Sequence, residues 1–315
     1  MSTESDQQTP RDRLFIQANQ IFKDESAVVT GVSKLTGIGP AIVRGLAYHG
    51  AGGIFMTATP KSQELGDAMV AEVEAEGAHG AWVGADLSTI EGVETVIDAM
   101  KRRKDEFGGA YRLLFLNAGV NHDERFEALE YQNLRHTLAV NLEGPMMLAS
   151  QMLKEKLMPR GYGRIVVTGS FRAFGSKGGG EAYGASKAAL LGFVTNAAQD
   201  LGEFGITVNG VFPGWIVTEM TEKSVATSPA YKEAYTVGAA VGRLGLPEDV
   251  AHHMLHFADP RSGFATGQSL VLDGGVGNPA VITRMIEKGY VRLDPEERRA
   301  VMAIRRQRKN QGEQT

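Results

Sequence analysis

The chain has 315 residues, 43% of them hydrophobic, with a formal net charge of −4 and no cysteine. That length and composition support a full hydrophobic core in one large α/β domain. The small negative charge gives no basis for nucleic acid or a membrane surface as partner, and the missing cysteines exclude disulfides and thiolate zinc sites.

The amino terminus, MSTESDQQTPRDRLF, is polar and mixed in charge, without the apolar stretch of a secretory signal, so the expected compartment is the cytoplasm. After it, short apolar, β-branched runs alternate with amphipathic helical periods. Strands are predicted near 26–30, 54–57, 80–84, 112–116, 164–168, 207–211 and 269–272, and helices over 39–49, 62–76, 89–107, 131–157, 182–204 and 247–258. This alternation predicts successive βαβ units, hence an α/β protein with a doubly wound parallel sheet of the Rossmann type. A polar arm over 1–23 precedes the domain at 24–276, and an extension over 277–315 follows it. In the extension Asp294 suits a helix N-cap, Pro295 the first turn, and the later arginines and lysines the carboxyl end of a helix.

The first predicted strand runs into TGVSKLTGIG, where a glycine-rich turn opens a helix. Such a turn points backbone N–H groups and the positive helix end at a pyrophosphate, or else serves packing alone. Gly31, Ser33, Lys34, Gly37 and Ile38 are its candidate cofactor contacts. Asp86 and Leu87, in GADLS, follow the third predicted strand; Asp86 either meets an adenine amino group or caps a turn. Asn117, Ala118 and Gly119 follow the fourth. All fall at carboxyl ends of strands, where open α/β sheets bind ligands.

The sharpest pattern lies in VVTGSFRAFGSKGGGEAYGASKAAL. Tyr183 and Lys187 are four residues apart on a predicted helix and share one face. Ser170 stands thirteen residues before Tyr183 at the end of a strand, and Asn141 lies in AVNLEGP. A phenol titrates near 10, and a neighbouring ammonium would lower that value by stabilising the phenolate. Lys187 is the residue expected to supply that charge.

With these pieces the chain resembles the short-chain dehydrogenase/reductase family, close to its beta-ketoacyl carrier-protein reductases, from about residue 26 to 275. ITVNGVFPGWIVT, GRLGLPEDVA and ATGQSLVLDGG complete the match, while the first glycine loop is two residues longer than the family's usual one. The resemblance implies a strand order of 3-2-1-4-5-6-7 and hydride transfer between a nicotinamide and a carbonyl carbon. It makes Tyr183 the proton donor, Ser170 the partner of the substrate oxygen, Lys187 a holder of the nicotinamide ribose, and Asn141 the carrier of a relay water. It further implies Pro213, Gly214, Ile216 and Thr218 as contacts near the nicotinamide, and a homotetramer built through the two long helices.

The second predicted strand ends without the acidic residue that favours NAD, and Thr57, Thr59, Lys61, Ser62 and Lys34 suit an extra phosphate. NADP(H) is therefore expected rather than NAD(H). Met220, Tyr231, Tyr235 and Val237 give the segment 219–242 the character of a partly apolar substrate lid. The expected substrate is a ketone or a 3-oxoacyl group, small or held as an acyl thioester on an acidic carrier protein. Oxidation of an alcohol and a non-catalytic nucleotide sensor are the alternatives. The basic tail over 284–309 is a solvated helix, a subunit contact or a guide for an acidic partner. His252 and His256 have zinc-like spacing but lack a third ligand in sequence, so no metal is expected.

Overall fold

The strands of this protein are apolar along their length because helices cover both faces of the sheet that they form. The computed structural model describes residues 20–175, 180–218, 236 and 238–276. Its sheet contains β1 (Ser26–Thr30), β2 (Gly53–Ala58), β3 (His79–Gly84), β4 (Leu113–Leu116), β5 (Gly163–Thr168), β6 (Ile206–Pro213) and β7 (Ser269–Leu272). Their order is 3-2-1-4-5-6-7, and the ladders from β3 across to β6 are all parallel. Every residue of β1, β2, β4, β5 and β6 is buried. The order reverses at β1, between β2 and β4, which leaves a crevice at the carboxyl ends of β1 and β4.

The helices are α1 (Ile38–Tyr48), α2 (Gln63–Ala75), α3 (Ile90–Arg102), α4 (Tyr131–Leu138), α5 (Gly144–Lys154), α6 (Glu181–Leu201) and α7 (Pro247–Ala258). Leu148, Met152, Val96, Met100, Leu190 and Val194, from α5, α3 and α6, join Val28, Leu114 and Ile165 of the sheet in one hydrophobic core.

The helix expected over 131–157 is broken. A π-turn, Ala139–Glu143, separates α4 from α5. Pro145 follows it and lacks the N–H that an unbroken α-helix would bond to residue 141. Gly144 also passes so close to β3's outgoing loop that a Cβ there would lie 2.1 Å from the Leu87 carbonyl oxygen. The period expected over 89–107 ends at Arg102 and continues as a 3₁₀ turn, Lys104–Phe107, closed by left-handed Gly108.

The chain divides into two compact units, Met1–Pro213 with Pro247–Val271, and Gly214–Leu246 with Leu272–Thr315. Within the second unit the Gly214 N–H donates to the Leu272 carbonyl at 2.8 Å, and Ile216 forms a parallel bridge with Gly245. Residues 1–19, the lid positions Met220, Tyr231, Tyr235 and Val237, and the extension 277–315 lie outside the described residues.

The close approach at Gly144 gives a stability prediction. Gly144→Ala forces α5 away from the Leu87 carbonyl and should cost about 1–3 kcal/mol, read as a lower urea midpoint with unchanged slope. A midpoint equal to that of the unsubstituted protein would contradict the packing.

Candidate functional site

Three loops meet at the carboxyl edge of β1, β4 and β5, and one threonine holds the first two together. Thr30 Oγ1, at the end of β1, accepts the N–H groups of Asn117 and Ala118 at 2.9 and 3.0 Å and donates to the Phe115 carbonyl. Asn117 then reaches to both sides. Its Nδ2 donates to the Thr30 carbonyl at 3.1 Å, and its Oδ1 accepts from Thr168 Oγ1 at 3.1 Å. Asn117 thus clamps β1, β4 and β5 through its side chain.

The glycine loop packs onto this clamp. The Gly31 and Val32 N–H groups donate to the Thr57 carbonyl at 2.8 and 3.2 Å. Gly31 has φ 78, and a Cβ there would sit 2.8 Å from Ala118 Cα, so the turn demands glycine twice over. The lengthened part is pinned from the helices. Arg44 donates to the Leu35 carbonyl at 2.8 Å while forking onto Glu72, and Trp82 Nε1 donates to the Val32 carbonyl. Ser33 and Lys34 are half-buried and Ile38 opens α1. Thr57 is fully buried and serves the loop through its carbonyl, whereas Thr59 and Lys61 are exposed just beyond β2.

Asp86 takes the turn role. Its Oδ1 accepts the Ser88 N–H at 2.9 Å, and its carbonyl accepts from Thr89, which caps α3. That backbone bond holds the Asp86 carboxyl below the usual carboxylate range. Leu87 is buried beside it. Pro213 ends β6, whereas Gly214, Ile216 and Thr218 belong to the second compact unit.

Around Gly119 the catalytic candidates converge. A Cβ on Gly119 would lie 3.3 Å from Asn141 Oδ1 and 3.4 Å from Lys187 Nζ. Asn141, buried in the π-turn, accepts the Val120 N–H at 2.8 Å and donates to the Val120 carbonyl and to Ser186 Oγ. Such π-turns recur at functional sites, and this one aims Asn141 into the site. Ser170 is buried after β5, caps the 3₁₀ turn Phe171–Phe174, and hydrogen-bonds Tyr183. Lys187 is 3% exposed, with Nζ donating to the Thr168 carbonyl at 2.8 Å and lying 5.7 Å from the Tyr183 ring centre.

Two cations stand beside the Tyr183 ring, Lys187 and Arg172. Burial raises the Tyr183 phenol above its ordinary value, and the Ser170 hydrogen bond and the Arg172 charge pull it back. The Lys187 ammonium is itself destabilised by burial, which lowers it to about 8. Its ion–dipole bond to the Thr168 carbonyl is the local compensation.

Comparison with known proteins agrees with this geometry. The family model described as enoyl-(acyl carrier protein) reductase, adh_short_C2, matches residues 31–277. The 3-oxoacyl-[acyl-carrier-protein] reductase FabG of Vibrio cholerae is 32% identical over 252 residues, 79% of this chain and 96% of that protein. The chain belongs to the short-chain dehydrogenase/reductase family. It is accordingly an oxidoreductase that works with a nicotinamide dinucleotide. Among solved structures, a short-chain dehydrogenase from Burkholderia cenocepacia in complex with NADP is similar, with TM-score 0.73 and 32% identity over 82% of this chain and 100% of that one. The angucycline C-6 ketoreductase LanV with bound NADP gives TM-score 0.74 and 25% identity over 82% and 97%.

Several residues of this dehydrogenase/reductase site escape sequence reading. Thr30 and Thr168 end their strands as ordinary β-branched residues, yet their hydroxyls join three strands. Ser186 links Asn141 to α6, its Oγ donating to the Tyr183 carbonyl at 2.7 Å. The available signal is that polar side chains end otherwise apolar strands.

The edge fits a dinucleotide. Gly37, with φ 132, has nothing within 4 Å of a Cβ position, and α1 opens without a side-chain cap or an acidic residue in its first turn. Its first amides therefore suit a pyrophosphate, and buried Lys187 suits ribose hydroxyls.

Lys187 provides a test of the electrostatics without any ligand. Its folded value lies below that of an exposed lysine, so the unfolded chain binds the extra proton between about pH 8 and 10.5. The burden on stability is complete below 8 and vanishes above 10.5. Lys187→Met should therefore raise stability at neutral pH by roughly 1–3 kcal/mol, with the gain fading as pH rises through that window. Urea titrations across pH check this; a loss of stability at pH 7 would contradict it.

Proposed function

We propose that this protein is an NADP(H)-dependent reductase of a ketone or 3-oxoacyl group, with Tyr183 as general acid. The observation that carries this reading is that Asn141 and Lys187 meet at Gly119, with the Tyr183 ring beside Lys187 and Ser170 beside the phenol. A nucleotide sensor needs no such set.

Bound NADPH would supply the hydride. The carbonyl carbon gains that hydride, and its oxygen gains the proton of Tyr183, held in place by the Ser170 hydroxyl. Lys187 would hold the ribose hydroxyls and present its positive charge where the phenolate develops. Asn141 has spent both Nδ2 hydrogens on Val120 and Ser186, so it would bind a relay water through Oδ1 as acceptor. The same groups run the reverse oxidation, with direction set by cofactor ratios.

NADP(H) is favoured over NAD(H) because β2 ends at Ala58 and leads into exposed Thr59 and Lys61 with no carboxylate to repel a phosphate. The NADP complexes of the Burkholderia cenocepacia dehydrogenase and of the angucycline ketoreductase support this reading. The name of the carrier-protein reductase supports a thioester substrate, and that of the angucycline ketoreductase an aromatic ketone. We place the single catalytic domain over 24–276, in the cytoplasm, and take the assembly to be a homotetramer. Exposed Tyr131, Met146 and Met147 on α4 and α5 support a subunit contact there.

Tyr183→Phe should lower NADPH oxidation with acetoacetyl-CoA or an aromatic ketone by at least about a hundredfold while leaving NADPH affinity nearly unchanged. Retained turnover would remove Tyr183 from the mechanism. Isothermal titration should find NADPH bound more tightly than NADH, and the reverse order would overturn the cofactor assignment.

A further inference from the structure

Burial opposes ionisation of the phenol that must give up a proton, and Lys187 is held at the Thr168 carbonyl. A second cation sits equally near. Arg172, two residues beyond Ser170, places its guanidinium carbon 5.8 Å from the Tyr183 ring centre with a side chain only 14% exposed. Three features of the surroundings define its place. The Arg172 N–H donates to Ser170 Oγ at 3.3 Å, the same oxygen region that meets Tyr183. Left-handed Gly180, φ 69, leaves the room that a side chain would fill: a Cβ there would lie 2.8 Å from an Arg172 terminal nitrogen. Asp123, in the loop after β4, holds the guanidinium at 3.6 Å and is itself 68% exposed.

The other charged groups around the phenol have different engagements. Lys187 approaches from α6, and Glu181 occupies its first turn. Glu124, beside Asp123, takes the Asn133 amide on its carboxylate and the Gly180 N–H on its carbonyl. Lys187 loses its charge as pH passes about 8, whereas a guanidinium stays charged throughout the working range.

We propose that Arg172 is a positioning residue for proton transfer, an electrostatic partner of the Tyr183 phenol that fixes the pH range of turnover, with Asp123 attenuating its charge. This rests on the assignment of Tyr183 as proton donor. The direction agrees with the charges: Arg172 favours the ionised phenol, and burial disfavours it. Removing the guanidinium must therefore make the phenol a weaker acid. In reduction, where the protonated phenol is active, the alkaline limb of kcat/KM moves to higher pH. In oxidation, where the ionised phenol is active, the rising limb moves the same way and the rate at pH 7 falls.

The test compares pH profiles of Arg172→Met, Arg172→Lys and Asp123→Asn with acetoacetyl-CoA and NADPH, and with 3-hydroxybutyryl-CoA and NADP⁺. The ultraviolet titration of the phenolate in each NADPH complex, taken as a difference against Tyr183→Phe, gives the same answer without any substrate. Arg172→Met should lower the oxidative kcat/KM at pH 7 by roughly fivefold or more and move both limbs upward. Arg172→Lys should restore most of the wild-type profile. Asp123→Asn, at an exposed position, should move the limbs and the phenolate titration to lower pH, and it carries the test alone if Arg172→Met does not fold. Unmoved profiles and titrations in these variants, with Tyr183→Phe inactive, would overturn the role of Arg172 and leave the reductase reading intact. Turnover that survives Tyr183→Phe would instead refute the proton-donor assignment.

Discussion

An ammonium group buried against one backbone carbonyl governs the arrangement of this site. Lys187 Nζ sits 2.8 Å from the carbonyl of Thr168, the residue that ends β5. Taking a charged amine out of water costs several kcal/mol unless it is bonded, and the cost here appears as a value lowered to about 8. The bond fixes more than the lysine. Thr168 donates through its hydroxyl to Asn117, Asn117 donates to the Thr30 carbonyl, and Thr30 accepts the amides that begin the loop after β4. A displacement at Lys187 would therefore be felt at the ends of three strands.

Close backbone approach is the second constraint, and glycine supplies it. Gly31 lets the first loop rest on Ala118, Gly119 lets Asn141 and Lys187 approach a common point, and Gly144 lets the π-turn pass under the loop after β3. The crevice at the switch of strand order is thus lined by backbone, which suits a long polar ligand that must be met by N–H groups rather than by bulky side chains.

The fold was readable because each strand is a short apolar run and each helix has its own period, so the seven strands emerge with end errors of a few residues, while their order came from the family resemblance. The candidate site residues also stand out in the sequence, since Tyr183 and Lys187 lie four apart on α6 and Ser170 follows β5. What periodicity conceals is the cost of a single atom. The π-turn at 139–143 follows from the missing N–H of Pro145 and the tight passage of Gly144, neither of which alters the apolar pattern. Thr30 and Thr168 look like any strand residues until their neighbours across the sheet are known. The surroundings of Tyr183 are hidden for the same reason: spacing along α6 brings Lys187 close, but only the fold reveals that a carbonyl holds it and that Arg172 stands at a comparable distance.

The loop with two additional residues shows how an irregular spacing is absorbed. Arg44 bonds the Leu35 carbonyl and Glu72 together, so the extension is fastened to α1 and α2 instead of intruding on Gly37. Everything at the carboxyl edge, however, depends on the state of one amine. Heteronuclear NMR of the Lys187 ζ-nitrogen in the cofactor-free protein, followed from neutral to strongly alkaline pH and identified by its loss in Lys187→Met, measures that state directly. The account predicts a midpoint near 8. A midpoint at the ordinary lysine value near 10.4 would mean that the amine is in water, and would contradict it.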